Sequence, residues 1–240
     1  MGGRHRARAT AVDLSEPRRA ARRSDLHECV RQFISSSVGT EAFAIMAAIQ
    51  RQSTNLAAGK NPIGILEAMA QGAAIAYCPL IYGYVNYAAA APDRHVVRFG
   101  DVPVVRAGGP LGSTLGGTGL AVTRRAAVTP ELLAHLRYLM SEQTQRCFIP
   151  RHDGQPSARA AWRDADVNSR WGNFYRDTLL TVEAAWVRPR YTNFIAFQTA
   201  ASALIRAALD AGTSAPSLLT ELQHQYAQSR HSGRGSAVEL

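Results

Sequence analysis

Asn61-Pro62 followed ten residues later by Gly72 constrains this chain more than any other local pattern. Asn is a favoured N-cap, Pro suits the first helical position because its missing N–H would be unpaired there, and Gly ends helices easily. The spacing therefore predicts a helix over PIGILEAMAQ with Leu66, Met69 and Ala70 on a core face. AAIAYC follows at once and reads as a short buried strand, and PLIYGYVNY reads as an aromatic loop leaving it. Helix, Gly stop, strand and loop make an αβ unit, so the expected fold class is α/β.

Further along, HVVRF after the Pro92-Asp93 turn and TGLAVT after a Gly/Pro-rich connection read as two more strands. Thr129-Pro130-Glu131 opens a helix with Leu132, Leu133, Leu136, Leu139 and Met140 at helical spacing. Residues 147–170 read as mostly loop with a short helix. The carboxy-terminal half is helix-rich, with one helix near 174–186. Another starts near Asn193 and stops at Gly212, and a third carries Leu218, Leu219, Leu222 and Tyr226 on one face. Near the amino terminus a helical region is expected from Ser24 through Leu26, Val30, Phe33 and Ile34, followed by the apolar run GTEAFAIMAAIQ. The tail after Gln228 is polar and expected to fray.

Composition removes several classes. No run reaches the roughly 18–20 consecutive apolar residues of a membrane span. Cys29, Cys78 and Cys147 are too few and scattered for a disulfide framework or a CxxC metal site. The formal charge of +9 suggests nucleic acid, but residues 1–31 carry eight Arg against four acids, and the remaining basic residues stand singly, without a phosphate-neutralising stripe. Lys60 is the only lysine, so the Arg excess reads as a codon-composition bias. A signal peptide needs a 7–15-residue apolar core after its positive charges. Residues 1–23 have none, which predicts a disordered Arg-rich tail and, for the chain as written, a cytoplasmic location.

Familiar catalytic motifs fail one by one. Lys60 is far from the Gly-rich run GGPLGSTLGGTGLAV, so there is no P-loop, and Gly117-Thr118-Gly119 leads into an apolar run rather than a helix, so there is no Rossmann fingerprint. Ser113 has Leu111 and Leu115 where a nucleophile elbow needs glycines. The seven His form no i, i+4 ligand pair, and Cys78 reads as a small core hydrophobe. No catalytic residue, metal or cofactor is expected.

Two segments concentrate aromatic and hydrogen-bonding groups. PLIYGYVNY (79–87) holds Tyr82, Tyr84, Asn86 and Tyr87, and AWVRPRYTNF (185–194) holds Trp186, Arg188, Arg190, Tyr191 and Asn193. Tyr and Trp rings offer a flat apolar face with a polar tip, the complement of a sugar ring. Ordinary core packing explains such rings equally well.

NPIGILEAMAQGAAIAYCPLIYGYVNY, GSTLGGTGLAV with its T-P-E-L-L-A helix, GQPSARAAW, and FYRDTLLTVEAAWVRPRYTNFIAFQ, in that order, resemble the carboxy-terminal part of extracellular solute-binding proteins, family 1, over about residues 26–228. These are the substrate-binding components of ABC importers, largely for carbohydrates. The resemblance implies a type II periplasmic-binding-protein-like fold, lobe two plus a partial lobe one. Residues 24–105 and 151–228 would form lobe two, 106–150 the returning piece of lobe one, and 229–240 a tail. The long amino-terminal part of lobe one has no counterpart, so a truncated component is expected, periplasmic by family. By position Tyr82 and Tyr84 match the cleft-facing aromatic loop. Gly117 and Thr118 match the hinge crossing, and Trp186, Arg188 and Tyr191 match the loop before a late helix. Trp186 or Tyr82 would stack on a sugar and Arg188 would bind hydroxyls or an acidic group. The implied partners are a sugar-like ligand and membrane permease subunits, with binding rather than turnover. The alternatives are a cytoplasmic α/β enzyme and a nucleic-acid binder acting through residues 1–31.

Overall fold

The computed structural model describes residues 32–231. The expectations for residues 1–31, including the disordered tail, the Ser24 cap and Cys29, lie outside the described residues, as do those for residues 232–240. In chain order the helices are α1 Ser36–Gln52, α2 Pro62–Ala70, α3 Pro130–Leu139, α4 Ile149–Arg151 and α5 Arg159–Arg163. They continue with α6 Ala165–Arg170, α7 Phe174–Asp177, α8 Leu179–Glu183, α9 Phe194–Ala211 and α10 Ala215–His231.

The α/β expectation is overturned. Among the described residues there is no strand and no sheet, which does not fit a two-lobed periplasmic-binding fold. Among the described residues β pairing is limited to isolated bridges, Ala91 with Arg94 and Thr114 with Trp186. The physical reason is visible in where the backbone N–H groups go. HVVRF is extended, but His95 donates to the carbonyl of Ala70 at the end of α2 and Val97 donates to that of Tyr87 in the Val85–Tyr87 3-10 turn. AAIAYC spends its Ala73 N–H on Ala68 and exposes Tyr77. TGLAVT runs exposed along the surface. An extended run without a partner strand leaves no ladder to form.

The helices announced by caps do form. The Asn61 side chain accepts from the Gly64 N–H at 2.8 Å with Pro62 in the first turn. Thr129 accepts from Leu132 at 3.3 Å ahead of Pro130. α9 ends at Gly212 in the left-handed conformation (φ 63°), where the Thr213 N–H reaches back to the Ala208 carbonyl. Elsewhere the expectations shift. Phe33 and Ile34 stand in a bend before α1, 147–170 holds several short helices, 174–186 splits into α7 and α8, and α10 continues past Gln228.

The chain divides into two compact units. In one, which includes Thr54–Arg188, Val85, Ala88, Trp162, Val167, Trp171, Phe174 and Tyr175 form one buried cluster and Leu66, Ala70, Tyr87 and Val97 another. Its buried rings keep their polar atoms paired: Trp162 Nε1 donates to Pro156 O, Trp171 Nε1 to Pro150 O and Tyr175 OH to Gly154 O. A π-helical turn, Thr144–Phe148, buries Gln145, whose Oε1 accepts from the N–H groups of Ser157 and Ala158 and the Ser157 hydroxyl.

The other unit contains residues 32–53 and 189–231 of the described chain. Phe194, Phe197, Ala201 and Ala208 of α9 meet Leu218, Leu222 and Tyr226 of α10, with Phe33 set edge-on to Phe197 at 5.1 Å. Among the described residues α9 is the one helix long and apolar enough, by length and composition, to cross a membrane.

Candidate functional site

A cavity of about 520 Å³ opens in the Thr54–Arg188 unit, within the 300–1,000 Å³ typical of small-molecule sites. Much of its lining is apolar, including Leu66 and Met69 of α2 with Val97, Phe99 and Phe174. Tyr82 and Tyr84 line it from the segment leading into the Val85–Tyr87 turn. That segment is held by Gln155, whose Oε1 accepts from the Val85 N–H at 3.3 Å, and by close backbone approach at two glycines. A Cβ on Gly83 would lie 2.9 Å from the Phe174 ring, and one on Gly116 would lie 3.0 Å from the Tyr82 ring. Each aromatic ring therefore rests on bare backbone.

Part of the lining is tied together by hydrogen bonds across long sequence separations. Thr181 donates both its N–H and its hydroxyl to Asp101 Oδ1, each at 2.7 Å, while its Oγ1 accepts from the Val102 N–H at 2.9 Å. The Ser113 hydroxyl donates to the Thr181 carbonyl at 2.9 Å. Trp186 N–H donates to Ser113 O at 2.8 Å and Leu115 N–H to Trp186 O at 2.9 Å, forming the parallel bridge at Thr114. Outside the lining, in the cluster with Leu66 and Val97, burial and the hydrogen bond to Glu67 raise the Tyr87 phenol above its ordinary range.

The sequence-derived candidates separate by unit. Tyr82 and Tyr84 line the cavity. Gly117 and Thr118 follow directly on Gly116 but are outside its lining. Trp186 contributes its backbone to the bridge, and its side chain is half-exposed outside the lining. Arg188 stands at the last position of the unit. Tyr191 belongs to the other unit, where its hydroxyl pairs with that of Ser229 at 2.9 Å and the Arg230 guanidinium lies 4.5 Å from its ring centroid. Phe99, Asp101, Gln155 and Thr181 were missed. No local pattern marks them, because they meet only through contacts 70 to 80 residues apart in sequence.

Among the described residues no group of His, Cys, Asp or Glu is arranged to hold a metal ion. Comparison with family profiles, curated proteins and solved structures finds no match.

Proposed function

We propose that the Thr54–Arg188 unit binds a carbohydrate or related polar small molecule in this cavity without turning it over, as the solute-binding component of an importer whose membrane permease receives the ligand. One observation carries the reading: two tyrosines line a concave site of small-molecule size whose lining also holds a fixed set of hydrogen-bonding groups. Rings and hydrogen-bonding groups in one site suit the C–H face and hydroxyl edge of a sugar. The importer assignment rests on the order of the sequence blocks that resemble importer receptors and not on the fold, which departs from theirs. Binding is favoured over hydrolysis because glycoside cleavage uses two carboxylates, whereas Asp101 is the one acid in the lining.

Titration calorimetry of the full chain against neutral methyl pyranosides and disaccharides tests this. Saturable binding that Tyr82→Ala abolishes is the expected result. Heat-silent titrations across the whole panel, repeated by ligand-observed NMR with no line broadening, would contradict it.

A further inference from the structure

Only two lining residues of the cavity are charged at neutral pH, Arg98 and Asp101, and their signs cancel. Asp101 is half-buried and held by one oxygen, since both Thr181 donors converge on Oδ1. Oδ2 accepts no hydrogen bond among the described residues and is not sealed from solvent. Gln155 complements it. Its Oε1 is fixed by the Val85 N–H, which leaves the amide NH₂ to donate. Arg98 is exposed and makes no ion pair among the described residues.

Resting on the sugar-binding reading above, we infer that Asp101 is the specificity-determining residue of the cavity and that it selects an uncharged, hydroxyl-rich ring over its acidic counterpart. A ligand hydroxyl donates to Oδ2 while accepting from the amide of Gln155 or the guanidinium of Arg98. Hydrogen bonds to an ionised acceptor are the strong ones, so this contact outweighs those made by the neutral rim. A uronate brings a second anion beside the half-buried Asp101, where partial burial strengthens the like-charge contact, and the exposed, solvent-screened Arg98 offsets little of it.

Asp101→Asn is the informative change. Its Oδ1 keeps both Thr181 bonds, and Nδ2 replaces the free oxygen, turning an acceptor into a donor at the same place. Methyl glucoside and glucuronate titrated into the full chain supply the readout. The expected result is an affinity for methyl glucoside about tenfold weaker in Asp101→Asn, as for loss of one charged hydrogen bond, with glucuronate gaining relative to it. Neutral-sugar affinity within twofold of wild type in Asp101→Asn, with no change of preference, would overturn the inference while leaving sugar binding intact. Wild-type protein that binds neither sugar would overturn the sugar reading and this inference together.

Discussion

Asp101 and Thr181, 80 residues apart in sequence, are joined twice: the backbone N–H and the hydroxyl of Thr181 both end on the same carboxylate oxygen, each at 2.7 Å. Thr181 sits in the first turn of α8, where N–H groups have no partner within the helix. The pair therefore satisfies an orphan donor and fixes an acid at the cavity wall in one step. Thr181→Val removes the hydroxyl that also accepts from Val102 and should cost about 1–3 kcal/mol. Urea unfolding followed by tryptophan fluorescence reads this unit alone, because Trp162, Trp171 and Trp186 all lie in it. A Thr181→Val midpoint equal to that of wild type would show the latch to be energetically idle.

Gly116→Ala tests whether the Tyr82 ring must lie against bare backbone. The added methyl would start 3.0 Å from the ring, closer than ordinary packing, so the ring has to move. The expected outcome is weaker ligand binding with a small loss of stability. Trp186→Ala leaves the backbone bridge to Ser113 and Leu115 in place and should weaken binding less than Tyr82→Ala. The reverse order in calorimetry would move the stacking role to Trp186.

Gln145 is a buried side chain whose oxygen serves three donors and whose Nε2 donates to the Leu139 carbonyl at 2.9 Å. Gln145→Leu strands these groups and should destabilise the unit by about 2–3 kcal/mol. Gln145→Glu keeps the acceptor oxygen, and its protonated form can still donate to Leu139, so it should cost less than Gln145→Leu at acid pH and lose that advantage once the buried carboxyl ionises. Midpoints for the two variants that stay equal at every pH would contradict the bonding scheme.

The Asp164 carboxyl is held below its usual range, chiefly by the Val167 N–H it caps at the start of α6 and then by Arg146. A folded-state value below the unfolded one contributes stability that is complete above about pH 4 and is lost as pH falls through the folded value. Asp164→Asn keeps a capping oxygen but cannot titrate. The gap between wild-type and Asp164→Asn stability should thus shrink as urea titrations move from pH 6 to pH 2, and a constant gap would refute the assignment.

The legible part of this fold was the part written in local chemistry. Asn61-Pro62, Thr129-Pro130 and Gly212 each place a cap within a few residues of the backbone groups it serves, and α2, α3 and α9 follow. The strands were misread because AAIAYC and HVVRF have strand-like composition, while pairing depends on a distant partner. Here His95 and Val97 find carbonyls at a helix end and a 3-10 turn instead. The site shows the same split. Tyr82 and Tyr84 stood out as a ring-rich cluster, whereas Asp101 gained significance only when Thr181 folded onto it. Tyr191, equally aromatic in sequence, serves the core of the other unit.

The most direct test of the account is a set of intermolecular NOEs between a bound methyl pyranoside and protein whose tyrosine rings are selectively protonated. The account predicts contacts from the sugar C–H face to the rings of Tyr82 and Tyr84, lost in Tyr82→Ala and Tyr84→Ala respectively. Contacts to Tyr191 alone, or to neither cavity tyrosine while the sugar binds saturably, would contradict it.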